Sequence, residues 1–282
     1  KLKENSKNIE VLRSLCYRGF EEKLLNGKIE RGEYQRYIDQ CKIEIDTFDE
    51  LHFTNYVLLV YLVKLKADEL NIFWDFGRGS AAGSLVFWLL GITGVNPVKY
   101  GLFFSRFVSK ARAKSKIING QLYLQADLIA DADLNLGGGR NTIVEWLNQI
   151  YPNRICKILT VGTMTGKVLI KDTYKCFENA TEEQAKEISD MVERQFGVVQ
   201  DLEDVYKDNI KFKKWADEHK ETYKIALKLR DLIRQTGCHA SGYLISYDEL
   251  DNTMPVQLDS SKDKICSYTM EYVPAVKLDM LS

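Results

Sequence analysis

Apolar and polar positions alternate with two different periods along this chain. In "NIEVLRSLCYRGFEEKLL" and "FTNYVLLVYLVKLKADELN" apolar side chains return at helical spacing, which predicts two helices packed against a sheet. Small residues lead into an apolar run in "DFGRGSAAGSLVFWLLGITG", predicting a helix that stops near Gly91 or Gly94. "KSKIINGQLYLQ" has strand-like flanks about Asn119 and Gly120, and an Asn-Gly pair supplies the positive φ that both positions of a tight hairpin need. A short strand, "IADADLNL", follows. Beyond "GGGR", "NTIVEWLNQIY" predicts a helix and "RICKILTVGT" a strand. From about Met164 to Arg234 the pattern becomes charge-rich and helical, a separate lobe in which one helix opens at Thr181 with the capping box "TEEQ". β-type residues return after His239 in "ASGYLISYDE", "TMPVQLD" and "YVPAVKLDML", so the chain is expected to re-enter the sheet of the first lobe.

Composition narrows the classes. A chain of 282 residues can bury a core as one large domain or two moderate ones. The formal charge of −1 gives no global nucleic-acid footprint. "YVLLVYLV" and "SLVFWLLGI" stop short of the roughly 18 to 20 apolar residues that span a bilayer, and no signal peptide opens the chain. Six scattered cysteines without a C-x-x-C pair indicate neither zinc nor a disulfide framework, so a reducing cytoplasm is the expected location. An opening at Lys1 and a close just after an apolar run read as a piece of something longer. Local charge adds one feature. "SRFVSKARAKSKIING" carries Arg106, Lys110, Arg112, Lys114 and Lys116 with no acid, either a solvated face or a contact for a polyanion.

Three further pieces bear on chemistry. Asp131 and Asp133 stand two apart in a strand, so their carboxylates share one face and repel unless a cation sits between them or one takes a proton. Such a pair suits a hard cation such as magnesium, or it simply faces solvent. The loop "GRGSAAGS" lets backbone approach a phosphate closely at the positive end of the following helix, with Ser80 and Ser84 as hydroxyl donors and Arg78 as a charged one, or else serves tight packing. Asp279 in "AVKLDML" occupies a position where alternation favours an apolar residue, as a cap, an edge charge or a third ligand. Three carboxylates beside a phosphate-binding loop form the arrangement that two-metal phosphoryl transfer needs.

Together these residues resemble the C-family replicative DNA polymerases of bacteria and phages, the polymerase III alpha type. "GRGSAAGSLVFWLLGITGVNPVKYGLFFSRF" closely resembles that family's palm signature. "ADADLNL" resembles its P-D-x-D-x-D-F strand, "ILTVGTMTGKVLIKD" the following strand and helix, "RQTGCHASGYLI" its T-R-x-x-G-x-H-A-x-G block and "VKLDML" its K-x-D-F-L segment. The match covers nearly the whole chain, most thinly from Glu178 to Lys228.

The resemblance implies an α+β fold: a nucleotidyltransferase palm of the polymerase beta type, with a mixed sheet and flanking helices, over residues 1–160 and 239–282, and an inserted helical thumb over 161–238. It implies DNA-directed DNA polymerase activity, with nucleotidyl transfer from a deoxynucleoside triphosphate to a primer 3′ hydroxyl. Asp131, Asp133 and Asp279 would be catalytic and hold two magnesium ions, with manganese able to substitute. Arg78, Gly79, Ser80, Gly83, Ser84 and Lys277 would bind the triphosphate. Arg106, Lys110, Arg112, Lys114, Lys116, Lys167 and Lys171 would meet the DNA. Primer-template DNA, fingers and PHP domains and a sliding clamp are the implied partners, with no membrane. His239, alone among small residues, is expected to satisfy a local hydrogen bond.

Several positions depart from the family pattern. Ala130 stands where the family has proline, Asn135 fills the third acidic position of the strand, and the hairpin at Asn119 lengthens the spacing between Arg112 and Asp131. A non-catalytic DNA-binding or scaffold module that keeps the palm is the alternative. Retention of all three acids argues against it, because buried carboxylates without a use are costly. A small-molecule nucleotidyltransferase is a second alternative, which the thumb-like lobe and the basic segment disfavour.

Overall fold

The computed structural model describes residues 6–75, 77, 79–110, 115–118, 121–124, 132–195, 198–246, 248–259, 261–269 and 276–281, and at 6, 115–118, 121–124, 194–195, 198, 276–279 and 281 it defines the backbone alone. Chain contacts divide it into two compact units, Lys1–Leu159 with Cys238–Ser282, and Thr160–Gly237.

The first unit begins with three helices, α1 (Ser6–Leu25), α2 (Tyr34–Glu50) and α3 (Thr54–Glu69). On α2, Tyr37, Cys41, Ile45 and Phe48 are buried at intervals of three and four, the stripe that a 3.6-residue period turns to one side. On α3 the buried positions include Tyr56, Val57, Leu59, Val60 and Val63, so this helix is enclosed on most sides. A fourth helix, α4 (Leu85–Leu89), is buried along its whole length. It is shorter than the apolar run predicts, because Ser80–Gly83 forms a separate 3-10 turn ahead of it and Gly91, at φ +70°, ends the run.

Next come a two-stranded ribbon, β1 (Ser115–Ile118) and β2 (Gln121–Leu124), whose antiparallel register brackets the expected Asn119–Gly120 turn, and then β3 (Asp133–Asn135), α5 (Arg140–Ile150) and β4 (Ile155–Thr163). The chain enters the second unit within β4 and returns within β7 (Ile233–Ile245), then forms α11 (Leu250–Thr253), β8 (Val256–Leu258), β9 (Lys264–Thr269) and β10 (Val276–Leu281). A six-stranded sheet has the order β3-β10-β7-β4-β9-β8. It is mixed: β10 is parallel to β3 and antiparallel to β7, while β9 is parallel to β4 and antiparallel to β8. Side chains alternate across it. Tyr243 and Ile245 join the large core with the helices, whereas Leu244 joins a smaller core with Ile158 and Cys266.

The second unit carries α6 (Gly166–Glu178), α7 (Glu182–Asp190), a short ribbon of β5 (Arg194–Gln195) and β6 (Val198–Val199), α8 (Leu202–Asp208), α9 (Ile210–Glu218) and α10 (Lys220–Leu229). Its own core gathers Leu169, Ile170, Val192, Leu202, Phe212 and Ala226. The capping box read at Thr181 is formed, with Gln184 N–H donating to Thr181 Oγ1 and the Gln184 side chain accepting from Thr181 N–H. Thr181→Ala removes an N-cap acceptor, so equilibrium urea unfolding of this unit is expected to show a loss of about 1 kcal/mol. Among the described residues no helix is long and apolar enough to cross a membrane.

Candidate active site

β3 is an edge strand, and its alternation separates two environments: Ala132, Leu134 and Leu136 are buried in the large core, while Asp133 and Asn135 stay half-buried on the other face. Asp133 is paired in parallel register with Asp279 of β10, and Asp279 with Gly242 of β7. Two of the acids singled out in the sequence therefore sit level on neighbouring strands. Residues so placed are about 4.8 Å apart, a spacing at which ionised carboxylates repel. Asp131 lies outside the described residues, as does Arg78.

The glycine and serine loop meets β3 at one point. Gly79 has φ +70° and ψ −163°, and a Cβ built on it would overlap the Asp133 carboxylate. The positive φ disfavours any side chain there, and one placed there would push the Asp133 carboxylate aside. Ser80 follows at the exposed start of the 3-10 turn. Gly83 answers to packing instead: a Cβ on it would stand 2.9 Å from the Phe103 carbonyl oxygen. Among the described residues no three His, Cys, Asp or Glu side chains form a group able to hold a metal ion, and Asp131 and the Asp279 side chain fall outside that set. The donors that are described, a carboxylate and closely approaching backbone, suit a hard divalent cation beside a phosphate.

The helix after the loop differs from expectation. Its first amides are not open to a phosphate, because a carboxylate of the protein already occupies that position. Glu44 of α2, fully buried, accepts from Leu85 N–H at 2.9 Å, Val86 N–H at 3.0 Å, Ser84 Oγ at 2.8 Å and Gln40 Nε2 at 2.8 Å. Ser84 is itself fully buried and caps α4 by accepting from Phe87 N–H at 3.2 Å. Its hydroxyl, expected among the phosphate donors, is committed inward. The approach for an anion narrows to the stretch about Gly79 and Ser80. Nothing local marks Glu44, an acid in an otherwise amphipathic helix, because apart from Gln40 its partners lie about forty residues further along the chain.

Asp75, likewise unmarked in the sequence, reaches the same strand. Its N–H donates to the Asn135 carbonyl at 3.2 Å, and Asn135 Nδ2 donates to Asp75 Oδ2 at 3.4 Å. His239 does make the local hydrogen bond expected of it, its Nδ1 accepting from Gly242 N–H at 2.7 Å beside the Asp279 pairing.

The basic residues are distributed more widely. Arg106 ends the turn Phe104–Arg106, and Lys110 pairs with Glu50. Lys116 is level with Tyr123 in the ribbon and Lys277 with Leu244 in the sheet, while Arg112 and Lys114 lie outside the described residues. In the second unit Lys167 pairs with Asp190 at 3.4 Å, and Lys171 and Lys175 both pair with Glu182. Those two ammonium groups hold the Glu182 carboxyl down to about 2, so the pairing is intact above the ordinary carboxylate range and is lost as pH falls toward that value.

A family model described as "Bacterial DNA polymerase III alpha NTPase domain" matches residues 10–282. The DNA polymerase III subunit alpha of Ureaplasma parvum is 30% identical over 277 residues, covering 96% of this chain and 27% of that protein. That of Yersinia pestis is 30% identical over 259 residues, covering 89% of this chain and 20% of that protein. That of Bacillus subtilis is 26% identical over 255 residues, covering 88% and 21%. The chain therefore spans between a fifth and just over a quarter of the length of these relatives.

Proposed function

Because the chain belongs to the bacterial DNA polymerase III alpha NTPase-domain family, we propose that it is the palm and thumb of a replicative DNA polymerase that transfers a nucleotidyl group from a deoxynucleoside triphosphate to a primer 3′ hydroxyl. The observation that carries this reading is the contact of Gly79 with Asp133, at the strand position level with Asp279. Phosphate-binding backbone and metal-binding carboxylates are useful together only when they touch. The first unit is the palm and the second the thumb.

Asp131, Asp133 and Asp279 would hold two magnesium ions. Such ions, held by these carboxylates, would supply Lewis-acid chemistry: a lowered pKa for the attacking hydroxyl and stabilisation of charge on the transferred phosphoryl group. Backbone N–H groups about Gly79 and the Ser80 hydroxyl hold the triphosphate, with Arg78 adding a charge-assisted contact and Lys277 a second cation. Arg106, Lys110, Arg112, Lys114 and Lys116 grip duplex phosphates, as do Lys167 and Lys171 after exchanging their carboxylate partners for phosphate. Contacts of this kind position the duplex and leave sequence to base pairing. Fingers, a PHP domain and a sliding clamp complete the machine.

Crystals soaked with manganese and a deoxynucleoside triphosphate test the site. The expected result is an anomalous peak at the Asp133 carboxylate with the triphosphate against Ser80. A triphosphate bound elsewhere, with no peak at Asp133, overturns the assignment.

A further inference from the structure

We infer that Asp75 and Asn135 form a polar latch that sets the distance between the triphosphate loop and the metal-binding strand, a positioning role that rests on the polymerase reading above. Asp75 is held to Asn135 by two hydrogen bonds, one from its own backbone N–H and one to its carboxylate. Gly79, four residues on, lies against Asp133, two residues back along β3. Residues 75 and 79 thus each meet the edge strand, at Asn135 and at Asp133. Two strand residues advance about 7 Å, whereas four residues can span about 13 Å, so this stretch has slack. Without an anchor at residue 75, chain length alone would not keep Gly79 on the Asp133 carboxylate.

The side-chain chemistry of the latch is specific. One partner must donate and the other accept, and beside Asp133 and Asp279 a further uncompensated carboxylate is repelled. With Asp at 75 the strand position opposite has to supply a donor, which an amide does without adding charge. This accounts for Asn135, which fills the third acidic position of the "ADADLNL" strand: the acid stands across the pair, on the loop side. Exchanging the two residues preserves the donor, the acceptor and the net charge, whereas placing acids at both positions removes the donor and adds a second negative charge.

The test is a four-member cycle in the full-length protein: wild type, Asp75→Asn, Asn135→Asp and the exchanged double variant. Asn135→Asp is expected to raise KM for the deoxynucleoside triphosphate about tenfold or more with a smaller change in kcat, and the double variant to return within about threefold of wild type. Asp75→Asn alone, which keeps a donor and an acceptor, falls between. Thermal unfolding of the same four proteins reports folding separately. A double variant no better than Asn135→Asp in KM overturns the latch, as does rescue of the melting temperature without rescue of KM. If wild type fails to extend primers, the polymerase reading falls on that result. The latch is then decided by the same cycle read as equilibrium binding of a fluorescent deoxynucleoside triphosphate. Absence of binding by wild type overturns both.

Discussion

Asp133→Ala is expected to lower primer extension by the full-length protein by at least about a thousandfold, a loss of about 4 kcal/mol of transition-state stabilisation. Among the described side chains Asp133 is the acid whose carboxylate lies against Gly79, at a strand position level with Asp279, and on the function proposed above it would serve ligand and metal together. Duplex binding should stay within about twofold, because on the proposed function the basic residues elsewhere would supply the phosphate contacts that dominate affinity. Asp133→Asn separates catalysis from folding. It keeps the shape while removing one of two like charges on neighbouring strands, so the metal-free protein should become more stable by up to about 1 kcal/mol while extension is still lost. Extension near the wild-type rate by either variant would sink the catalytic assignment. Extension lost together with duplex binding and folding would show that Asp133 is structural.

Glu44→Ala is expected to cost about 3 kcal/mol of stability, or about 6 to 12 °C in melting temperature, read by urea and thermal unfolding. The carboxylate is fully buried and satisfies two backbone N–H groups at the start of α4, the Ser84 hydroxyl and the Gln40 amide. Truncation leaves those donors facing a void that adjoins a cavity of about 230 Å³ lined by Arg36, Gln40, Gly83 and Phe103. Glu44→Gln preserves volume but brings an amide donor to a place that holds only donors, so its loss should be intermediate. Burial pushes the Glu44 pKa above the ordinary carboxylate value, while the hydrogen bonds from Gln40, Leu85, Val86 and Ser84 pull it down. A raised native value means that the folded state keeps a proton the unfolded state has released. This group's contribution to stability is then full below the unfolded value and declines as pH rises through the native one. Glutamine does not titrate, so the stability gap between wild type and Glu44→Gln should narrow across that window. A loss below about 0.5 kcal/mol for Glu44→Ala would show that water entering the cavity replaces the carboxylate.

Much of the local structure was legible before any coordinates. The helical periods of "NIEVLRSLCYRGFEEKLL" and "NTIVEWLNQIY" became α1 and α5, the Asn-Gly pair fell between two paired strands, and Thr181 capped its helix. These features arise between residues one to four apart, where side-chain period, φ preference and a cap are set by the chain itself. The chain membership in a polymerase family was also carried by ordered motifs, each a short stretch of residues.

The site was legible as a list of residues and not as an arrangement. The loop "GRGSAAGS" reads as phosphate backbone feeding a helix end, yet the helix end is filled by Glu44 from α2, while Gly79 and Ser80 stay exposed. Ser84 looks like a donor to a ligand and is a buried cap. Gly79 against Asp133, Asp279 level with Asp133, and Asp75 bonded to Asn135 each join segments far apart in the chain. By itself the sequence determined which segments coil or extend, which face of each is apolar, and which acids, glycines and cations the fold has available. Tertiary structure alone decided which of those groups meet. Pairings across the sheet and between helix and loop depend on how separately formed elements pack, and a buried polar group takes whatever partner that packing places within hydrogen-bond reach.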